Sequence, residues 1–398
     1  MITTARASRS ATRFRRERWA MLVAALTAAG LLAGCGSDPA DSDGTSTAGA
    51  GASTAAGDLA AKVTELSSPR KTLPIPTDEV EGVDRLRGRT VYYIPITQQA
   101  PALTVTARAL TSALSSAGVD VHVCNGNSNP SDITSCVNQA TGADAAAIIT
   151  DAIPYALAGN ALGAAQSKGI PVLITNQIPD SAHPAGDRLG YIEGAGKAQQ
   201  RAIADWIIVD SGGKANVVIN GSTDSPSTQA YVAAAQEEYK AHCPDCKVKV
   251  NKISSANFSL IASSTSSAIL TTPGVGYVVS EFEQYLQPTL NGVQQSGKAS
   301  SIRGAAGSAQ ITGLQMLASG KFLHVDSGQA NVFQGWVDAD AAIRMMLGLP
   351  LPEYEIPIRL FTRDNVKDIT VSSAAEATGE WFGPTDFPAK FRALWGLG

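Results

Sequence analysis

The sequence is poor in charged and aromatic residues: 17% of its 398 residues are charged and 6% are aromatic. It has no run of Lys or Arg beyond the first twenty residues, and its formal net charge at pH 7 is -4. A protein that binds nucleic acid needs a basic face to neutralise phosphates. The composition therefore argues against that class and predicts no nucleic-acid partner.

Histidine is also scarce, and the usual catalytic motifs are missing. The chain has four His residues, which are scattered along it at positions 122, 183, 242 and 324, so we expect no metal site. The segment "EGAGKAQQ" (193–200) lacks the first Gly and the final Ser or Thr of a P-loop. No G-x-S-x-G nucleophile motif occurs either. The sequence predicts a protein that has no cofactor and is not an enzyme.

An apolar stretch near the amino terminus is too short to cross a membrane. It covers about 14 residues, 19–32, which is the length of a signal-peptide core, and six Arg residues precede it. The segment Leu32-Ala33-Gly34-Cys35 resembles the lipobox of bacterial lipoproteins. The resemblance implies that residues 1–34 are removed and that Cys35 is lipidated, although an ordinary signal peptide with a chance Cys is the alternative.

A flexible linker is expected after Cys35. Residues 36–57 are rich in Gly, Ser, Thr, Ala and Asp, which is the composition of a coil with a reach of roughly 25 Å. We therefore delimit residues 35–57 as lipidated Cys and linker, followed by an extension over 58–88 that begins with a helix at 58–67. A tail over 366–398, rich in Trp and Phe, either packs on the protein or meets a partner.

Four further cysteines indicate two disulfides. An even number of Cys in an exported chain is typical of disulfide bonding, and we pair Cys124 with Cys136 and Cys243 with Cys246. The first bridge would add about 3 kcal/mol of stability. The alternative for "CPDC" (243–246) is a redox or zinc motif that His242 would join.

Apolar strands alternate with amphipathic helices from residue 89 onward, which predicts a doubly wound parallel sheet. The rhythm then repeats, so we predict two similar α/β lobes in tandem. The predicted strands of the first lobe are 90–96, 119–124, 145–150 and 170–176. Those of the second are 215–220, 247–254, 275–280, 301–307 and 322–328.

Residues 89 to about 365 resemble a type I periplasmic solute-binding protein of the ribose-binding group. Three segments carry the resemblance, and they occur in the expected order behind the lipobox: "IPVLITNQ" (170–177), "SIRGAAGSAQITGLQMLASG" (301–320) and "DSGQANVFQGWVDADAAIRMMLGLPLP" (326–352). The resemblance implies two lobes joined by a three-strand hinge, an N-lobe of 89–180 plus 330–355, and a C-lobe of 181–329 plus 356–365.

The resemblance also implies a function. Ligands of open α/β sheets bind beyond the carboxyl ends of the strands, and closure of the lobes buries the ligand. We therefore expect a monomer on the extracytoplasmic face of the membrane, held there by its lipid anchor, that captures a small polar, sugar-like solute and delivers it to an ABC permease.

The family's charged sugar-binding positions are not kept in this chain. Its Asp-Arg pair falls on Asn176-Gln177, its second-lobe Arg falls near Thr228, and the hinge Gln is kept as Gln329. We predict no metal ligand and eight ligand contacts: Thr97, Gln99, Asp151, Asn176, Gln177, Glu281, Phe282 and Gln329. Additional candidate stacking surfaces are Tyr155, Tyr285 and Phe333. Glu281 could face a ligand cation, in which case Glu281→Ala should weaken binding at least about tenfold.

Two other functions stay open at this stage. The same lipoprotein could present its closed form to a membrane sensor, and a permease and ATPase encoded nearby would argue against that role. An extracellular hydrolase built on the same lobes would need a nucleophile and a base, which the motifs do not supply, and turnover assays would detect it.

Overall fold

The computed structural model describes the backbone of residues 47–398 and the side chains from residue 57 onward. The predicted signal peptide and the lipidation of Cys35 lie outside the described residues. Residues Ala48–Gly398 form one compact unit, and no helix within the described part has the length and apolar character of a membrane span.

Two separate sheets form the centres of two lobes. The N-lobe sheet has five parallel strands in the order β2-β1-β3-β4-β5, and the C-lobe sheet has six in the order β11-β10-β9-β8-β6-β7. Only β11 is antiparallel to its neighbour. The strands are β1 (Thr90–Pro95), β2 (Asp120–Val123), β3 (Ala147–Asp151), β4 (Val172–Thr175), β5 (Leu189–Ile192), β6 (Asn216–Ser222), β7 (Lys247–Ile253), β8 (Tyr277–Ser280), β9 (Arg303–Gly307), β10 (Leu323–Gln329) and β11 (Ile358–Thr362).

Helices cover both sheets, as parallel strands buried on both faces require. The N-lobe holds α2, α3, α4 and α10, and the C-lobe holds α5 to α9. The helices are α1 (Thr47–Leu66), α2 (Pro101–Ser116), α3 (Pro130–Gly142), α4 (Gly159–Ser167), α5 (Gly196–Asp210), α6 (Pro226–His242), α7 (Ile261–Leu270), α8 (Leu286–Gln295), α9 (Ile311–Ala318), α10 (Asn331–Leu347), α11 (Ser373–Thr378) and α12 (Phe387–Leu394). The predicted fold class is confirmed.

The chain crosses between the lobes three times. It leaves the N-lobe after β5, returns between β10 and α10, and leaves again between α10 and β11. Helix α10 packs closely on α2, since a Cβ added at Gly335 would lie 2.7 Å from the Thr106 carbonyl oxygen. The three crossings form a hinge between two separately folded sheets.

The first lobe boundary differs from the prediction. The sequence assigned residues 181–192 to the C-lobe, but β5 pairs in parallel with β4 in the N-lobe sheet. This strand has only four residues and contains a glycine, so it carries almost no hydrophobic period. Gly190 is required by tertiary packing, because an added Cβ would meet Leu351 at 2.8 Å and Met345 at 2.9 Å.

The predicted linker is also shorter than expected, because α1 begins at Thr47. Residues 47–57, predicted as coil, are therefore helical. This segment is rich in alanine and free of proline, and alanine is the best helix former. Gly and Ser in the same segment led the composition argument towards a coil.

Both predicted disulfides are confirmed. Cys124 is bonded to Cys136 with a Cα–Cα distance of 5.7 Å, and Cys243 is bonded to Cys246 with a distance of 5.3 Å. The described residues contain no cluster of His, Cys, Asp and Glu that could hold a metal. The two cysteines of "CPDC" therefore bridge a turn after α6.

Candidate functional site

The carboxyl ends of the parallel strands of both lobes meet near the hinge. Three non-glycine residues directly after strands have left-handed backbone: Ala152 (φ 58°), Asn176 (φ 55°) and Ser308 (φ 65°). Such backbone costs energy and persists where the surrounding structure enforces it, commonly at functional sites. The edge where the lobes face each other is therefore the candidate ligand cleft.

Gln329 is the centre of a buried polar network at the hinge. Its Oε1 accepts a hydrogen bond from the Ala195 N–H at 3.0 Å, at the first crossing. Its Nε2 donates to Gln334 at 2.6 Å, to Asn331 at 3.1 Å and to Asn176 at 3.2 Å. The side chain is 8% exposed. One amide thus connects the hinge to the end of β4 in the N-lobe.

Asp151 holds Asn176 in place from below the cleft. Its carboxylate accepts hydrogen bonds from the Tyr93 hydroxyl and, at 2.7 Å, from Asn176 Nδ2. Burial raises the pKa of Asp151, and the hydrogen bonds from Tyr93 and Asn176 partly offset that rise. Asp151 has no exposed surface, so its direct effect is to orient the Asn176 amide.

Gln177 makes a direct contact between the lobes. Its Oε1 accepts a hydrogen bond of 2.7 Å from the Ser227 hydroxyl on α6 of the C-lobe. The Ser227 Oγ also accepts from the Ile178 N–H at 3.0 Å. One helical turn further along α6, the Tyr231 hydroxyl donates to the Asn176 carbonyl at 3.2 Å. The residues after β4 are therefore bonded to the first turns of α6.

Glu281 lies inside the C-lobe and has no exposed surface. One of its oxygens accepts from the Ser222 N–H at 2.5 Å, and the other has no partner among the described residues. Burial raises its pKa well above the usual value, and the nearby charge of Asp224 adds to the rise. Because Glu281 has no accessible surface, the predicted exposure of this carboxylate to the cleft is not seen.

The remaining predicted contacts are spread along the cleft edge. Thr97 is half-buried and its Oγ1 accepts from the backbone N–H of Gln99, whose side chain is exposed. Phe282 is half-buried and packs on Tyr285 with ring centroids 6.2 Å apart. Phe333 is fully buried against Phe387 of the tail, so it belongs to the core and not to the cleft.

The loops at the cleft carry acidic charge and no basic charge. The four residues after each of the strands β1 to β10 include no Lys or Arg. The same positions contain four carboxylates: Glu193, Asp224, Glu281 and Glu283. Lys197, five positions after β5, is paired with Glu193 at 2.8 Å, so no Lys or Arg directly after these strands is placed to attract an anionic ligand.

A sequence profile of the periplasmic binding protein domain matches residues 91–349. This match covers more than half of the chain. The chain belongs to the periplasmic binding protein family.

Solved structures show the same fold at low sequence identity. A 5-methylthioribose transporter solute-binding protein from Thermotoga lettingae, in complex with 5-methylthioribose, superimposes with a TM-score of 0.64 at 18% identity, over 77% of this chain and 98% of its own. An ABC transporter solute-binding protein from Agrobacterium vitis, bound to α-D-tagatopyranose, gives 0.63 at 18%, over 71% and 97%. One from Bacillus halodurans, with bound myo-inositol, gives 0.61 at 15%, over 71% and 97%. No curated protein matches the chain.

Within this periplasmic binding protein, sequence reasoning missed the cross-lobe contact on α6. The expected position was Thr228, but its Oγ1 accepts from the Ser225 N–H at 3.3 Å and completes the capping box at the start of α6. Ser227 makes the contact instead. The pair Ser225-Pro226 is a helix-start signal, and it could have placed Ser227 in the first turn at the cleft.

A second missed feature is a pair of neighbouring carboxylates beside the cleft, of which Asp326 is fully buried and Glu283 is half-buried. Both Glu283 oxygens accept backbone N–H bonds at the start of α9, from Gln310 at 2.5 Å and Gly313 at 2.9 Å. A Cβ added at Gly313 would collide with oxygens of both Glu283 and Asp326, so the two carboxylates are close neighbours. Asp326 is fully buried and neither of its oxygens has a described partner.

Burial is the main reason why the pKa values of both carboxyl groups are raised. It raises the pKa of Glu283 to about 7, and it raises the pKa of Asp326 well above its usual value, with the neighbouring Glu283 charge adding to the effect. A folded-state pKa above the unfolded value means that the folded protein holds a proton that the unfolded chain releases. The contribution of Asp326 to the free energy of unfolding is therefore fully present below its unfolded pKa of 3.8. It is lost as the pH rises through the folded pKa.

Asp326→Asn should consequently stabilise the protein at pH 8 by about 1–3 kcal/mol. The Asn amide carries no charge and can donate to the Glu283 carboxylate, whereas an ionised Asp326 repels it. Urea unfolding at pH 5 and pH 8 measures the difference, which should be larger at pH 8. The exposed Asp386→Asn serves as the control, and equal behaviour of the two variants would contradict the prediction.

Proposed function

We propose that this protein is the solute-receptor subunit of an ABC importer, anchored to the extracytoplasmic membrane face through lipidated Cys35. It captures a small, polar, sugar-like solute between its lobes and releases it to a permease. It performs no chemistry on that solute. The family match, together with the sugar and polyol ligands of the similar structures, supports this proposal.

The Gln329 network is the observation that carries the proposal. It joins the first crossing, the second crossing and the end of β4 through one side chain. A solute that hydrogen-bonds to Asn176 therefore binds to a group that is already coupled to the hinge. Closure would then be stabilised by solute contacts with both lobes, as a ligand favours the state in which it makes more contacts.

The proposed solute contacts follow the cleft from one lobe to the other. Asn176 and Gln177 offer amide groups at the hinge end, and Thr97 and Gln99 offer a hydroxyl and an amide from the loop after β1. Phe282 offers an apolar ring face to the solute. Asp151 and Gln329 act mainly by orienting Asn176, and Glu281 acts from below the C-lobe surface.

The charge of the cleft restricts the solute class. Amides and hydroxyls can each donate or accept hydrogen bonds, which suits the hydroxyl groups of a polyol. The absence of Lys and Arg after the strands, with four carboxylates present, disfavours a phosphate or carboxylate group on the solute. We infer a solute that is neutral or positively charged.

A screen of matched solute pairs tests this proposal. Native mass spectrometry of the purified protein identifies any retained solute, and thermal unfolding then compares each neutral sugar or polyol with its phosphate ester. We expect stabilisation only by uncharged or cationic members, of about 2.7 kcal/mol at a hundredfold excess over Kd. Greater stabilisation by the phosphate esters would overturn the charge argument.

Failure of the entire panel, cationic solutes included, would contradict the sugar-like solute class. Turnover of any bound solute, followed by mass spectrometry of the recovered compound, would favour the hydrolase alternative. Identical recovery of the intact solute supports a receptor.

A further inference from the structure

Two segments outside the matched residues 91–349 run side by side along the molecule. They are the extension (58–88) and the tail (366–398), which together are called the brace here. The Arg70 N–H donates to the Phe382 carbonyl at 2.8 Å, and the Val80 N–H donates to the Leu394 carbonyl at 2.9 Å. The two ends of the domain are therefore hydrogen-bonded to each other.

The brace is attached to the C-lobe by charged side chains. Lys62 Nζ lies 2.7 Å from the buried Asp205 carboxylate on α5 and 3.1 Å from Glu238 on α6. On β11, Arg359 donates to the carbonyl oxygens of Ser67 at 3.2 Å and Trp381 at 2.6 Å. One arginine thus holds both segments of the brace.

The brace is attached to the N-lobe through α10. Phe387, Phe391 and Trp395 of the tail pack against two aromatic side chains of that helix, Phe333 and Trp336. All five side chains are nearly or fully buried. Arg344 of α10 also donates to the Asp78 carbonyl at 2.6 Å.

Between these attachments, the tail fills a notch between the lobes. Trp381 and Phe382 line a remaining cavity of only about 10 Å³, together with Val105 of α2 and residues 309–310 of the C-lobe. Phe382 packs edge-on against Phe361 of β11, with ring centroids 5.7 Å apart. At the edge of the notch, Glu376 lies 3.8 Å from Arg108 of α2.

We propose that the brace limits bending at the hinge. Rotation of one lobe against the other must change the width of the notch. Trp381 and Phe382 form a wedge in it, because Phe382 packs on Phe361 of the C-lobe and both side chains line the remaining cavity opposite Val105 of the N-lobe. Because packed aromatic side chains cannot deform continuously, a wider notch would separate the wedge from one lobe. The brace therefore narrows the range of lobe angles whether or not a solute is bound, independently of which solute the cleft takes.

The distribution of distances between the lobes tests this proposal. Nitroxide labels are attached at Asn138→Cys on α3 and Ser267→Cys on α7, which are both exposed positions. Pulsed electron paramagnetic resonance on the full mature protein then measures the distance between the labels. We expect Trp381→Ala to broaden this distribution. Phe322→Ala is the matched control, since Phe322 is a buried aromatic of the C-lobe that packs beside Gly304 and belongs to neither segment of the brace, and it should leave the distribution unchanged.

A second pair of variants covers the case in which Trp381→Ala does not fold. Glu376→Gln removes the charge that faces Arg108. The exposed Glu380→Gln removes the same charge four residues along the chain, beyond the end of α11. If the brace limits bending at the hinge, Glu376→Gln should give a broader distribution of label distances than Glu380→Gln. Distributions that match the wild type for both Trp381→Ala and Glu376→Gln would overturn the proposal, and so would equal broadening by Phe322→Ala.

Discussion

Replacing Asp340 by Ala is expected to lower the free energy of unfolding by about 3–5 kcal/mol. Asp340 is fully buried on α10 and accepts hydrogen bonds from three elements of the chain. Arg344 donates at 2.8 Å, the Tyr354 hydroxyl at 2.6 Å and the Trp395 indole at 2.7 Å. Removal of the carboxylate leaves a buried guanidinium, a hydroxyl and an indole N–H without that acceptor.

Equilibrium urea unfolding, followed by far-UV circular dichroism, measures this loss. The exposed Asp386, paired with Lys390 at half-exposed surface positions, provides the control. Asp386→Ala should change stability by less than about 0.5 kcal/mol. Equal effects of the two substitutions would show that the Asp340 contacts contribute little to the fold.

The Asp340 site also connects regions that are distant in sequence. Trp395 belongs to the tail, Tyr354 to the third crossing, and Arg344 reaches the extension through the Asp78 carbonyl. We therefore expect Asp340→Ala to expose the tail first. Limited proteolysis should cut the tail of this variant under conditions in which the wild type stays intact.

Gln329→Glu is expected to weaken solute binding by about tenfold or more, which corresponds to about 1.4 kcal/mol. The substitution keeps the shape of the side chain but removes the amide donor. At neutral pH the new carboxylate would face the side-chain oxygens of Asn176, Asn331 and Gln334, which now accept from the amide. Loss of these bonds releases Asn176 at the cleft.

Calorimetric titration with the solute found by mass spectrometry measures this effect. Burial would raise the pKa of a Glu at this position, so protonation at lower pH restores one donor. The difference from the wild type should therefore shrink as the pH falls. The exposed Gln287→Glu on α8 controls for added charge, and equal affinities for both variants would contradict a role of Gln329 in binding.

The sequence predicted the architecture because the spacing of apolar residues along the chain identifies strands and helices. Continuous apolar runs such as 145–150 and 275–280 marked buried parallel strands, and both lie within a residue or two of the observed β3 and β8. Two strands were missed, β5 and β11. Strand β5 has four residues and contains a glycine. Its place in the N-lobe sheet depends on pairing with β4, which no local period reveals.

The disulfides were also readable from the sequence. Exported chains pair their cysteines, and the short separations left one simple pairing. The start of α1 could not be read from the sequence, because alanine favours a helix while the neighbouring Gly and Ser favour a coil. Where the propensities for helix and coil are nearly equal, the surrounding chain decides which of the two forms.

The candidate site was predicted in part. The resemblance to the family placed Asn176, Gln177 and Gln329 near the hinge, where the structure has them. The same rule could not distinguish a side chain on the cleft surface from one beneath it. Glu281 and Asp151 follow or end a strand, yet both are fully buried, because neighbouring helices and loops cover them.

The sequence by itself determined the class of fold, the family and the cysteine pairs, since each depends on local pattern or composition. Only the tertiary structure decided that Ser227 meets Gln177, that Glu283 lies beside Asp326, and that the two ends of the domain brace the lobes. Those contacts join residues that lie from 43 positions apart, for Glu283 and Asp326, to more than 300, for Arg70 and Phe382. No local period encodes them, because they arise from the packing of complete elements against one another.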